Sequence, residues 1–250
     1  MRPEDIKAAL SRLEAPLPRA TAEKAVDWLL ERHGEAVAAA IDKMLFGGLD
    51  EAERAGLNGL DPEQWAAINA NAAEWLLAEA EIQVEGVPRR VADLLLSPNG
   101  PSFTPTERLW LEQLARQPLR MYAVIDVVTG QQITVRDALD TAAAPFVIAS
   151  AAASRAVQPG SLIGVRITQP GNPAGMSWAM YGFEAQPGAG VADQLREAVD
   201  RFGADGMDLA GMSSLLIRLC WLVQHFENLR GQGAPSACGC GGKGNCGGAG

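Results

Sequence analysis

Apolar residues recur at helical spacing through residues 1–118, with proline or glycine between the runs. Apolar side chains three or four positions apart form one face of a helix and predict that element. The first three stretches with this spacing cover residues 4–14, 21–33 and 35–46, and Gly34 separates the last two. The sequence therefore predicts a helical body in residues 1–118.

Two short motifs mark further helix starts in this body. Asp61–Gln64 and Thr104–Glu107 each place a capping residue before a proline, with Gln or Glu three residues past the cap. This order satisfies the free N–H groups of a first helical turn. The second helix should end by Pro118. In the first helix the predicted buried face is apolar until Glu79 and carries Trp65, Ile68, Ala72, Trp75 and Leu76.

After Pro118 the apolar pattern changes to that of strands. Five segments have continuous or alternating apolar residues, and they cover residues 120–128, 132–136, 145–150, 161–168 and 176–183. In the fourth, Ile163 and Val165 alternate with Gly164 and Arg166, which is typical of a half-buried strand. Because no helical crossover is predicted between the segments, they favour a small antiparallel sheet or barrel.

Helical spacing returns at residues 191–202 and 208–229, and the second of these has a continuous apolar face. From residue 231 onward the chain has no apolar residue larger than alanine apart from cysteine, so it cannot bury a core. The predicted fold is α+β. Its predicted regions are a helical region 1–118, a small β module 119–185, C-terminal helices 186–230 packing on the body, and a flexible Gly/Cys tail 231–250.

The charge balance limits the classes of partner. The chain has 250 residues, 48% of them hydrophobic, and a formal net charge of −9. Broad binding to nucleic acid or to an anionic membrane needs excess Lys and Arg, so neither is expected. Met212–Val223 is too short to span a bilayer and contains Arg218. The first residues lack the apolar core of a signal peptide, and the predicted location is the cytoplasm.

Three of the four cysteines, Cys238, Cys240 and Cys246, lie in the last thirteen residues. Closely spaced thiolates with intervening glycines can surround a zinc ion, which structural sites bind with four ligands. The tail itself has no histidine or carboxylate as the fourth ligand. His225 is one candidate for that position, and Cys220 is another, although its place on the apolar helical face favours a buried thiol.

An enzymatic site at the β module is a separate hypothesis. The charged residues around the predicted strands are Asp126, Arg136, Asp137, Asp140 and Arg155. Of these, Arg136, Asp137 and Arg155 are the candidates for catalysis. No histidine or cysteine nucleophile accompanies them, and the pattern favours turn, edge and salt-bridge roles.

Residues 103–166 resemble a module of uncharacterised bacterial proteins that often end in a zinc-binding SEC-C motif. The residues that carry this resemblance are Gln117–Leu119, Tyr122–Val124, Val135–Leu139, Ser154–Arg155 and Pro159–Gly160. The tail is similar to the SEC-C motif itself at Cys238, Cys240–Gly244 and Cys246, with a loop two residues shorter. Gly247 stands where that motif has its fourth ligand. The resemblance implies zinc binding and no known enzymatic activity.

Three functions remain as hypotheses. The first is a non-enzymatic cytoplasmic interaction protein that binds a protein partner and carries a zinc-binding C-terminal knuckle. The second is a folded carrier whose Gly/Cys-rich tail is modified or cleaved by another enzyme. The third is an enzyme with its site at the β module.

Overall fold

The computed structural model describes residues 16–47, 51, 54, 62–140, 142–169, 171, 173–177, 179–183 and 193. Its described part combines helices with small antiparallel sheets, and the predicted α+β class is confirmed. Several predictions lie outside the described residues. They are the helix over 4–14, nearly all of the two C-terminal helices, and the tail 231–250.

In its described residues, the helical body contains the helices α1 (Pro16–Phe46), α2 (Pro62–Ala78), α3 (Val91–Leu96) and α4 (Pro105–Arg116). Helix α1 has non-helical backbone angles at His33 (φ −137°, ψ 25°), which confirms the predicted break beside Gly34. Helix α2 begins at Pro62, as the first capping motif predicts.

The second capping motif is fully formed at the start of α4. The Thr104 hydroxyl accepts the Glu107 N–H at 3.3 Å, and the Glu107 carboxylate accepts the Thr104 N–H at 2.6 Å. These reciprocal bonds satisfy two N–H groups that a helix start otherwise leaves free. The bond from the Thr104 N–H is the main cause that lowers the pKa of Glu107.

A β-hairpin interrupts the helical body, so the prediction that residues 1–118 are all helical is wrong here. Strands β1 (Glu81–Val84) and β2 (Val87–Arg90) pair antiparallel on either side of a two-residue turn. Both turn residues have positive φ, 53° at Glu85 and 77° at Gly86. Glycine at the second turn position makes this tight hairpin accessible. Four-residue strands are too short for a clear alternating pattern.

The five predicted strand segments form the β module. Its strands are β3 (Arg120–Val128), β4 (Gln132–Asp137), β5 (Phe146–Ala149), β6 (Leu162–Val165), β7 (Ile167–Gln169), β8 (Gly175–Met176) and β9 (Tyr181–Phe183). The fourth segment divides at Arg166 into β6 and β7, and a short helix α5 (Ala151–Ala156) precedes β6.

The strand pairings follow an almost closed circuit. The larger sheet has the order β5-β4-β3-β6-β9, and β7 pairs with β8. Ala174, next to β8, exchanges backbone hydrogen bonds with Val147 and Ala149 of β5. Since β6 continues directly into β7, the pairing returns to its starting strand. The named strands of the module pair antiparallel, and the bridge between Ala174 and Ile148 that completes the circuit is parallel. This arrangement is consistent with the prediction of a small antiparallel sheet or barrel.

Strands β3 and β6 separate two hydrophobic cores. Met121 and Leu162 belong to the core formed mainly by the helices, whereas Tyr122 and Ile163 face a second core inside the β module. All four residues of β6 are buried. A strand covered on both faces has no solvent side. The prediction that this segment is half-buried is therefore wrong, and Arg166 points into protein.

Candidate functional site

The predicted metal ligands Cys238, Cys240, Cys246 and His225 lie outside the described residues, as does Cys220. Within the part of the chain that the structure describes, no group of three or more His, Cys, Asp or Glu side chains could hold a metal ion. The zinc site therefore stays a prediction from the spacing of the cysteines and from the SEC-C resemblance.

Asp137, one of the candidate catalytic residues, stabilises the end of β4. Its Oδ2 atom lies 3.0 Å from Nη1 of Arg120 on the neighbouring strand. Its Oδ1 atom accepts the backbone N–H groups of Leu139 at 2.9 Å and Asp140 at 3.0 Å. Oδ1 thus holds the turn that follows the strand and Oδ2 pairs with the neighbouring strand, as the interpretation of turn and salt-bridge roles expects.

The two candidate arginines lie on different elements and do not pair with Asp137 in the described residues. Arg136 is on β4, and its Nε atom is buried without a hydrogen-bond partner there. Arg155 is exposed on α5, beside the turn at Gly130.

The remaining two charged residues of the β module are acidic. Asp126 is exposed on β3, and Asp140 accepts the Ala142 N–H at 3.1 Å. The five charged residues thus occupy strand, turn and helix positions rather than one joint cluster.

The most deeply buried charges surround Arg166, which sequence reasoning placed on the solvent side of its strand. The side chain of Arg166 is 1% exposed, and those of Glu74 and Glu79 are 2% and 8% exposed. Nη1 of Arg166 lies 2.5 Å from Oε1 of Glu79 and donates to the Gln117 carbonyl oxygen at 2.7 Å. We call Arg166, Glu74 and Glu79 the Arg166 cluster.

The second carboxylate of the cluster contacts Arg166 differently. Nε of Arg166 lies 2.9 Å from Oε1 of Glu74, and the two buried side chains form an ion pair. Oε2 of Glu74 accepts the Ala179 N–H at 3.2 Å. The Ser177 N–H in turn donates to the Arg166 carbonyl oxygen at 2.9 Å.

The position of these residues explains what the cluster joins. Arg166 lies where β6 passes into β7, Glu74 is on α2, Glu79 directly follows α2, and Gln117 caps the end of α4. Ala179 lies between β8 and β9. The cluster therefore connects two helices of the body with two parts of the β module. Arg166 is 87 positions from Glu79 and 49 positions from Gln117 in sequence.

Burial and charge act in opposite directions on Glu74. Burial raises the pKa of its carboxyl above the ordinary value, while Arg166 and the polar groups of Ser177 and Ala179 oppose that rise. The Ser177 hydroxyl favours the ionised carboxylate without a well-directed hydrogen bond. Removing charges from water disfavours the ionised form unless pairing compensates. With its side chains facing protein, the cluster presents no surface to a substrate.

Two sequence signals could have located the cluster. Glu79 continues the apolar face of α2, where an unpaired carboxylate would be costly to bury. Arg166 lies within an apolar run between Val165 and Ile167. A buried charge at either position requires a partner of opposite charge, but neither signal identifies the residue that provides it. Glu74 gave no such signal, because it lies off the apolar face that the helical spacing defined.

Comparison with protein-family models, with curated proteins and with solved structures found no match to this chain. None of the helices in the described residues is both long and apolar enough to cross a bilayer. The resemblance to SEC-C proteins therefore stays a prediction from the sequence.

Proposed function

We propose that the chain is a non-enzymatic interaction protein whose C-terminal segment binds zinc and a protein partner. The observation that carries this proposal is the spacing of Cys238, Cys240 and Cys246 in a segment rich in glycine. Three thiolates within nine residues can approach one ion without a folded scaffold, since glycine imposes little restriction on the backbone. Zinc binding would then supply the folding energy that the segment lacks.

The proposal leaves the identity of the fourth zinc ligand open. Structural zinc sites are almost always four-coordinate, and Gly247 occupies the position where the similar SEC-C motif has a ligand. His225 is the candidate within the same chain. A thiolate from a second chain, or a ligand from the protein partner, would complete the tetrahedron equally well.

The folded part supports an interaction role more than a catalytic one. The charged groups with the best-defined partners, Asp137 and the Arg166 cluster, hold a strand end and the joint between helices and β module. The net charge of −9 favours a partner with a basic surface. A reducing cytoplasmic location would keep the thiols available for zinc.

Cobalt titration of the reduced full chain tests the metal site. Co²⁺ bound by thiolates gives a charge-transfer absorption, and we expect this band with the wild-type chain and its loss when Cys238, Cys240 and Cys246 are replaced together by Ser. Cys220→Ser is the matched control and should keep the band. Absence of the band, or its survival in the triple variant, would overturn the proposal.

The same titration distinguishes the sources of the fourth ligand. If His225 completes the site, His225→Ala should weaken cobalt binding and leave the metal-to-chain ratio at one. If a second chain completes it, the ratio should fall to one metal for two chains and a dimer should form on metal addition.

A tail that serves as the substrate of a modifying enzyme is the second candidate function. The observation that favours it is the Gly/Cys-rich composition of residues 231–250 beyond the predicted last helix. Intact mass spectrometry of the protein from its native host should then show a covalent addition to this segment or its removal. An unmodified mass would eliminate the carrier function.

A further inference from the structure

The outer face of the β module is covered by the helical body near the start of β3 but not near its end. Met121 and Ala123 pack in the core formed mainly by the helices, together with Leu162, which pairs with Ala123. Further along the same strand, Ile125 is 44% exposed and Val128 is 37% exposed. The outer face therefore has a covered part and an exposed part.

The strand register extends the exposed part across three strands. Residues that pair on neighbouring strands have their side chains on the same face of a sheet. The residues that alternate with them on β4 and β5 point into the core of the module. We call the exposed part the open sheet face, and it consists of the bulge residue Ile125, the row Val128, Gln132 and Ala149, and the row Asp126, Thr134 and Val147. Exposed apolar surface that extends over several strands marks a contact site.

We propose that residues 191–202 of the same chain form a helix that packs its apolar side on the open sheet face. Asp193, which the structure describes, is helical and exposed. In a helix this position lies opposite the apolar side, as docking of that side requires. The apolar residues of the stretch recur at helical spacing and are Val191, Leu195, Ala198, Val199 and Phe202.

The path of the chain brings this stretch to the open sheet face. Strand β9 ends at Phe183, which pairs with Leu162 of β6, and Leu162 pairs with Ala123 of β3. Because β9 and β3 are both antiparallel to β6, the chain leaves β9 in the direction in which β3 runs toward Val128. Residues 184–190 join β9 to the stretch and span at most roughly 24 Å when fully extended. Val128 lies about 17 Å beyond Ala123 along its strand, which is within this reach.

The distribution of charge also favours this occupant. Arg196 and Arg201 border the apolar side of the stretch, whereas its acidic residues lie on the opposite side. The open sheet face has an exposed carboxylate at Asp126, with which a bordering arginine can pair. The nearby cation Arg136 pairs in register with Ala123, at the border with the covered part, and so lies away from the row of Val128.

Photo-crosslinking of the full chain identifies what covers the open sheet face. A photoreactive phenylalanine analogue replaces Val128, and mass spectrometry identifies the cross-linked peptides. We expect cross-links within one chain to residues 191–202. The same analogue in place of Leu109, which is 54% exposed on α4, is the matched control and should not reach this stretch. Cross-links from position 128 to a second copy, to another segment only or to no peptide at all would overturn the proposal.

A double-mutant cycle tests the same contact without the bulky analogue. Val128→Thr and Leu195→Ala each remove part of the apolar contact, so each should lower the urea midpoint of unfolding. Because both substitutions act on one contact, the double variant should lose less than the sum of the two single losses. Leu109→Thr combined with Leu195→Ala is the control and should give additive losses. Additive losses for Val128→Thr with Leu195→Ala as well would contradict docking on this face.

Discussion

At the scale of single residues, Arg166 has the largest predicted effect on stability. It forms ion pairs with both carboxyls of its cluster, and it also binds the Gln117 carbonyl oxygen. Between β6 and β7, the chain thus buries a charged side chain, whereas the neighbouring positions Val165 and Ile167 are apolar. Substitution of Arg166 tests this structural role.

Replacing Arg166 by Met should lower the free energy of unfolding by about 3–5 kcal/mol, because it leaves two buried carboxyls without their cation. The measurement is urea unfolding at neutral pH. Arg116→Met is the control, since Arg116 is 77% exposed and 3.9 Å from Glu112. We expect the control to change stability by less than about 1 kcal/mol. Equal effects of the two substitutions would contradict the structural role of the cluster.

Tyr122 predicts a pH effect on stability at the alkaline end. Burial, with a smaller contribution from Asp137, raises the pKa of its phenol to about 12. The folded state therefore holds this proton more tightly, so stability is complete below about pH 10 and falls as the pH rises toward 12. Urea midpoints at about pH 9 and about pH 11 should diverge less in Tyr122→Phe than in the wild type. An unchanged divergence would place the effect on another group.

At the scale of elements, short sequence motifs correctly predicted where helices begin and break, and the alternation of apolar residues predicted the strands. The proline and capping residues at Thr104–Glu107 act within one helical turn, so the sequence contains the whole interaction. The same holds for the break at His33, beside a glycine. The hairpin β1–β2 and helix α5 were missed, because elements of four and six residues are too short for periodicity to indicate them.

Replacing Thr104 by Ala should destabilise the chain by about 1 kcal/mol, because it removes the side-chain cap of α4. Thr106→Ala makes the same chemical change at an exposed position of the same helix and should have a smaller effect. Thermal or urea unfolding of the two variants measures the difference. A cap variant as stable as the control would show that the reciprocal hydrogen bonds contribute nothing measurable.

The turn after α3 depends on a close backbone approach at Gly100. A Cβ atom added there would overlap the carbonyl group of Leu95, which is backbone and cannot rotate away. Gly100→Ala should therefore destabilise the protein and shift the turn. Gly34→Ala is the matched control, since nothing lies within 4 Å of its added Cβ. Unfolding midpoints that fall equally in both variants would contradict this close approach.

At the scale of the whole molecule, the fold class was predictable but the joint between its parts was not. Alternating and helical spacings act over a few residues, and they correctly gave an α+β chain with a β module after Pro118. The contact of Arg166 with Glu74 and Glu79 joins distant parts of the sequence, and no local pattern specifies such a pair. For the same reason the half-buried interpretation of β6 failed, because its second face is covered by helices.

The functional proposal depends on a different part of the molecule from the joint. Cys238, Cys240 and Cys246 lie in residues 231–250, whereas the Arg166 cluster joins the helices to the β module. A substitution in the cluster should therefore change stability and leave metal binding unchanged. We therefore expect Arg166→Met chains that remain folded to bind metal as the wild type does. This separation allows the metal site to be tested without interference from the stability of the fold.

Native mass spectrometry of the full chain, purified reduced from zinc-replete cells, is the most direct test of the central claim. The predicted result is the unmodified chain with bound zinc, and loss of that zinc when Cys238, Cys240 and Cys246 are all replaced by Ser. Cys220→Ser should retain the metal. A metal-free wild-type chain, or zinc that persists in the triple variant, would contradict the claim that these thiolates form a metal site.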